Sequence, residues 1–145
     1  MSPHPSRVLA ILGAALLSAC TATTSLTATP AGTTIAVKTS SNSAAPRTDH
    51  FGATTFGNYE FRAERAGSEA FYGRLPLKFN GGYLALDLLF FCPAMFLNLR
   101  EPFPLYEIDM DQRVVRYRLK DTDPWSQYVP SARDVASART VFGPP

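Results

Sequence analysis

Along much of this chain hydrophobic and polar residues alternate with a period of two, which predicts a mainly β protein. From Ser25 to Thr29, Leu26 and Ala28 alternate with hydroxylated residues, and from Thr33 to Lys38 Ile35 and Val37 do the same. Pro30, Ala31 and Gly32 separate the two runs, so the pattern predicts a β-hairpin. Residues 39–47 are small and polar with nothing to bury, and predict a mobile loop. The pattern resumes at Tyr59, Phe61 and Ala63, turns at Arg65-Ala66-Gly67, and continues from Phe71 to Phe79 through Leu75 and Leu77. Pro76 predicts that this last strand lies at a sheet edge.

The sharpest alternation runs from Leu105 to Leu119. Tyr106, Ile108 and Met110 alternate with Glu107, Asp109 and Asp111, and Val115, Tyr117 and Leu119 alternate with Arg116 and Arg118. A hairpin that pairs Asp109 with Val114 sets Ile108 opposite Val115, Tyr106 opposite Tyr117, and Glu107 opposite Arg116. Its apolar and polar faces then separate completely, with a carboxylate across from a guanidinium.

Between these β regions the pattern breaks. Tyr83 to Leu99 carries Asp87 as its one charge and is interrupted by Pro93. It is short, broken and charged for a spanning helix, which needs about twenty apolar residues, and predicts two short helical pieces meeting near Cys92 and Pro93. Such an apolar hairpin either packs on the sheet or turns Tyr83, Phe90, Phe91, Met95 and Phe96 toward a membrane or a partner. Residues 121–145 predict a mostly irregular tail, with Trp125 and Tyr128 as its docking residues.

The first twenty residues follow another logic. Arg7 precedes an apolar run from Val8, and the run closes on Leu17-Ser18-Ala19-Cys20. A basic start, about ten apolar residues and small residues before a cut describe a secretory signal. Leu-Ser-Ala-Cys resembles the lipobox of bacterial lipoproteins. That resemblance implies a diacylglycerol on Cys20, cleavage before it, and a mature protein held at a membrane by its acyl chains. Each buried methylene contributes about 0.8 kcal/mol, so two or more chains anchor stably without any spanning helix. Thr21 follows where an inner-membrane lipoprotein would carry Asp, which by the same resemblance implies the outer membrane and its periplasmic face.

Composition narrows the rest. Removing residues 1–19 leaves 126, enough for one domain. The formal charge of +2 includes Arg7, so the mature chain is near neutral and lacks the basic block that condenses on nucleic acid. With Cys20 acylated, Cys92 has no internal disulfide partner, and its neighbours Phe90, Phe91 and Pro93 favour a buried, unreactive thiol.

The run Ser25 to Val37, with Pro30-Ala31-Gly32 at its centre, is similar to the opening strand, turn and second strand of PEGA-type domains, and Thr54, Thr55, Gly57 and Tyr59 follow in the same order. PEGA-type domains are small β-sandwich modules of bacterial surface and envelope proteins. The resemblance implies binding or scaffolding and no catalytic residues.

Nothing else in the chain points to catalysis. His4 leaves with the signal, His50 is then the sole imidazole, and no Gly-x-Ser-x-Gly elbow presents a serine. An EF-hand reading from Asp109 fails because Arg113 and Lys120 fall where ligands belong. Glu107, Asp109 and Asp111 face arginines and read as a solvated ion-paired face. No metal and no cofactor is expected.

The expectation is therefore a signal peptide over 1–19, an anchor and linker over 20–24, and a small β-sandwich-like domain over 25–120. That domain carries the apolar helical insertion at 83–99 and a C-terminal β-hairpin, and a tail follows over 121–145. The expected role is a non-catalytic binding or scaffolding module at the outer membrane, with an envelope protein or peptidoglycan as partner. Rival roles are an inhibitor or immunity lipoprotein against an envelope-acting toxin, and a peptidoglycan-directed hydrolase.

Overall fold

The structure, a computed structural model, describes residues 21–52, 57–79, 81 and 100–144. Its strands are β1 (Thr21–Thr29), β2 (Thr34–Val37), β3 (Ser40–Ala44), β4 (Arg47–Gly52), β5 (Glu60–Glu64) and β6 (Phe71–Arg74). Then come β7 (Leu77–Phe79), β8 (Arg100–Pro102), β9 (Leu105–Asp109), β10 (Val114–Arg118) and β11 (Ser126–Tyr128), and one helix closes the chain, α1 (Ala132–Phe142).

The strands form a five-stranded sheet in the order β11-β10-β9-β1-β4, a four-stranded sheet β3-β2-β5-β6, and a two-stranded ribbon β7-β8. The alternation read from the sequence is the reason the first two can face each other. Leu26 on β1, Tyr106 and Ile108 on β9 and Val115 on β10 point inward from one sheet, and Ile35 and Val37 on β2, Phe61 and Ala63 on β5 and Phe71 on β6 from the other. All are at most 3% exposed, so each contributes close to the full apolar transfer free energy, about 1.5–3 kcal/mol for the larger side chains. Phe61 meets Phe71 edge to face at 5.3 Å, and Phe51 meets Tyr59 at 4.6 Å.

β9 and β10 pair antiparallel with Asp109 opposite Val114, Ile108 opposite Val115, Glu107 opposite Arg116 and Tyr106 opposite Tyr117, the register that the alternation predicts. This hairpin is not the C-terminal element, because β11 and α1 follow it.

Several expectations are corrected. β1 and β2 do not pair with each other: β1 lies between β4 and β9, whereas β2 lies between β3 and β5. The turn at Pro30 to Gly32 carries the chain from one sheet to the other, with Gly32 at φ 82° and the Thr33 hydroxyl donating to the Pro30 carbonyl at 2.7 Å. Leu26 and Ile35 are instead fully buried in one core, each contributed by a different sheet. The stretch 39–47 is not a loop, since β3 and the start of β4 occupy it and its small polar residues are held by ladder hydrogen bonds to β2 and β1. The run from Phe71 to Phe79 breaks at Leu75-Pro76 into β6, which is an edge of its sheet, and β7. Of the stretch 20–24 expected as anchor and linker, residues 21–24 belong to β1, and Cys20 lies outside the described residues. The helical hairpin expected at 83–99 lies outside the described residues.

The expected tail is the largest correction. β11 extends the five-stranded sheet, Tyr128 packs against the core, and the chain passes Gly73 of β6 at Pro130 and lays α1 on the outer face of β5 and β6. Ser131 caps α1 in a capping box with Asp134, and Val135, Ala138 and Phe142 form a stripe against Ala70 and Tyr72. The Tyr72 hydroxyl donates to the Gly143 carbonyl at 3.1 Å, and Arg62 lies over the Phe142 ring at 5.8 Å.

Candidate functional site

The strand register defines one pole of the sandwich. Leu105 faces Ser25 on one side and Arg118 on the other, so Thr21 to Thr24, Leu119 and Lys120 lie past this row, and Trp125, just before Ser126, stands level with it. The β7-β8 ribbon stands at this pole too. Its base is clamped by Tyr106, whose hydroxyl donates to the Pro76 carbonyl and accepts from the Phe103 amide at 2.8 Å, and Thr24 Oγ1 donates to the Phe103 carbonyl at 3.0 Å. Burial pushes the Tyr106 phenol far above its ordinary value.

Between the ribbon and the start of α1 lies a pocket of about 470 Å³. Leu75, Pro76, Leu77 and Phe79 form its apolar wall, and Asn58, Arg74, Arg100, Tyr128 and Asp134 supply its polar groups. Asp134 is buried, 6% exposed. It accepts from the Tyr128 hydroxyl, from the Ser131 hydroxyl at 2.6 Å and from the Ser131 amide at 3.0 Å, with an Arg74 guanidinium nitrogen 3.4 Å away. Burial by itself would raise the Asp134 carboxyl. The hydrogen bonds from Ser131 and Tyr128, with the Arg74 charge, outweigh it and hold the carboxyl below the ordinary range. Burial raises Tyr128, and the hydrogen bond to Asp134 and its negative charge raise it further. Arg74 Nε is buried with no hydrogen-bond partner among the described residues. Two guanidinium groups beside an apolar wall suit an anionic, amphiphilic group. The one carboxylate of the lining is already engaged in capping α1.

The residues proposed from sequence do not gather here. Cys20, Tyr83, Phe90, Phe91, Cys92, Met95 and Phe96 lie outside the described residues. His50 is exposed on the edge strand β4, its Nδ1 3.2 Å from Thr23 Oγ1, and does not line the pocket. Glu107 and Asp109 are both engaged by Arg116, Asp109 at 2.8 Å, and Asp109 also accepts from the Gln112 amide at 2.8 Å. Arg74 and Asp134 were not singled out from sequence, whereas Tyr128 was, as a docking residue of the expected tail. The signal for Asp134 was present in Ser131-x-x-Asp134 ahead of Val135 and Ala138, a helix-start signature at the end of an apparent tail.

Among the described residues no group of three or more His, Cys, Asp or Glu side chains could hold a metal ion, and no helix is long and apolar enough to cross a membrane. No protein-family model, curated protein or solved structure matches the chain.

Proposed function

We propose that this chain is a lipid-anchored protein of the bacterial envelope, held through Cys20 at the periplasmic face of the outer membrane, where it acts as a non-catalytic binding or scaffolding module. The observation that carries the reading is Leu17-Ser18-Ala19-Cys20 standing directly before Thr21, the first residue of β1. A fold that starts one residue after the acceptor thiol is ready to be held by acyl chains alone. The PEGA-like opening, Ser25 to Val37, contributes β1, the turn and β2 and supports a surface module. The engagement of Asp134 in helix capping and a pocket lining that does not include His50 support a binding role over a hydrolytic one.

Mass spectrometry of the N-terminal peptide and fractionation of cells carrying Cys20→Ser test the proposal. The expected results are an acylated peptide beginning at position 20 and an exported variant that leaves the membrane fraction. An unmodified Cys20, or a variant that sediments with membranes as the unaltered protein does, overturns it.

A further inference from the structure

We infer that the pole at which β1 begins lies flat against the bilayer, with Phe79, Leu119 and Trp125 seated in its headgroup region. The inference rests on the acylation of Cys20 and adds an orientation and a contact surface to it. Five large hydrophobic side chains are conspicuously exposed among the described residues, and three of them stand at this pole: Phe79 at 61%, Leu119 at 45% and Trp125 at 37%. They come from two separate elements, the tip of the β7-β8 ribbon and the connection between β10 and β11. Register brings Leu119 and Trp125 to the end at which β1 begins, and the hydrogen bonds of Thr24 to Phe103 and of Tyr106 to Pro76 hold the base of the Phe79 ribbon there.

The occupant follows from the chain itself. One residue spans at most about 3.6 Å, so an acylated Cys20 holds the first residue of β1 within that distance of the headgroups. Thr21 is paired with Gly52 and cannot swing away without breaking the β1-β4 ladder. A pole tied this closely meets the bilayer before it meets anything else. Its side chains suit that neighbour. Arg118 lies over the Trp125 ring with its guanidinium carbon 4.3 Å from the centroid, and Lys120 is exposed beside it. The Arg118 guanidinium also donates to the Asp121 carboxylate at 2.8 Å, so what this connection offers a bilayer is the apolar body of Leu119 and the amphipathic indole of Trp125, a side chain favoured at membrane interfaces. The other two exposed residues, Val129 and Val141, belong to other elements: Val129 follows β11, which runs away from this pole, and Val141 is in the last turn of α1.

Trp125 is the only tryptophan of the chain and reports the contact directly. The acylated full chain, purified from membranes, is reconstituted in vesicles of phosphatidylethanolamine and phosphatidylglycerol, with and without brominated acyl chains. The expected result is a blue-shifted Trp125 emission that brominated lipid quenches and aqueous iodide no longer does. In the paired variant Trp125→Phe/Val141→Trp, the reporter at position 141 is expected to stay open to iodide and unaffected by brominated lipid. Chain that floats with the vesicles while Trp125 keeps its full access to iodide overturns the orientation and leaves the anchor standing, as does equal lipid quenching at both positions. Chain that does not float overturns the Cys20 anchor, and the orientation with it.

Discussion

Gly73 on β6 has a hydrogen where any other residue would place a carbon. A Cβ there would lie 2.7 Å from Pro130 Cγ and 2.8 Å from the Phe61 ring, closer than carbon atoms approach. Gly73→Ala is therefore expected to destabilise the fold by about 1–3 kcal/mol through overpacking, and to loosen the crossing at Pro130 that carries the chain to α1. Urea unfolding measures the loss. If the alanine variant matches the parent, Pro130 does not pass against β6. Asp134 makes a different demand at the same scale. Its carboxyl is held below the ordinary value of 3.8, so between that value and the folded one the unfolded chain binds more protons than the folded chain. Its contribution to stability is complete above about pH 4 and disappears as the pH falls through the folded value. Asp134→Asn should be less stable than the parent at pH 7 and should lose part of the parent's acid-side slope, as thermal unfolding from pH 2 to 7 will read. Parallel curves for the two proteins would remove Asp134 from the acid transition.

Elements differ in how openly the sequence announces them. The β9-β10 hairpin is legible because one strict alternation sets the faces, the register and the pairing of Glu107 with Arg116 together. Tertiary detail then adds a third member, since Arg116 also reaches Asp109, whose side chain is only 6% exposed. The two ends of the network are thus unequal. Arg116→Ala leaves a buried carboxylate without its cation and is expected to cost about 3 kcal/mol, whereas Glu107→Ala removes a partly exposed partner and should cost under about 1 kcal/mol. Equal losses in urea unfolding would contradict this three-membered arrangement. β3 and α1 were hidden for opposite reasons. Ser40 to Ala44 has no apolar face to betray it, and it is a strand because β2 offers a free edge to its backbone. α1 has a capping box and a stripe, but Arg133, Arg139 and the alanines between them dilute the stripe until Ala70 and Tyr72 are seen beneath it.

At the scale of the whole molecule, the C-terminal segment joins the two sheets: β11 belongs to one, and α1 covers the outside of the other. A chain ending at Pro130 uncovers Ala70 and Tyr72 and takes Ser137 away from Glu60, which is 3% exposed. It should retain its β spectrum but lose about 3 kcal/mol, most of it from the Tyr72 side chain. Circular dichroism with denaturant titration separates the two effects, and an unaltered midpoint would show that α1 is dispensable to the sandwich. Alternation along Leu26 to Val37, Tyr59 to Phe71 and Tyr106 to Tyr117 determined by itself that the protein is mainly β and the register of the one tight hairpin, because a period of two assigns each residue a face from local information. It did not determine which residues of a face are covered, since Leu119 is exposed and Asp109 buried. The proposed lipoprotein reading of the run from Arg7 to Cys20 rests on local order alone. Which strand neighbours which was decided only in three dimensions. β1 and β2 part to opposite sheets and β9 lies parallel to β1, because burial of two apolar faces against each other outweighs the convenience of pairing with the nearest strand in the chain. The same closure collects Arg74, Tyr128 and Asp134 at one pocket, and Phe79, Leu119 and Trp125 at one pole, from stretches of sequence that share no pattern.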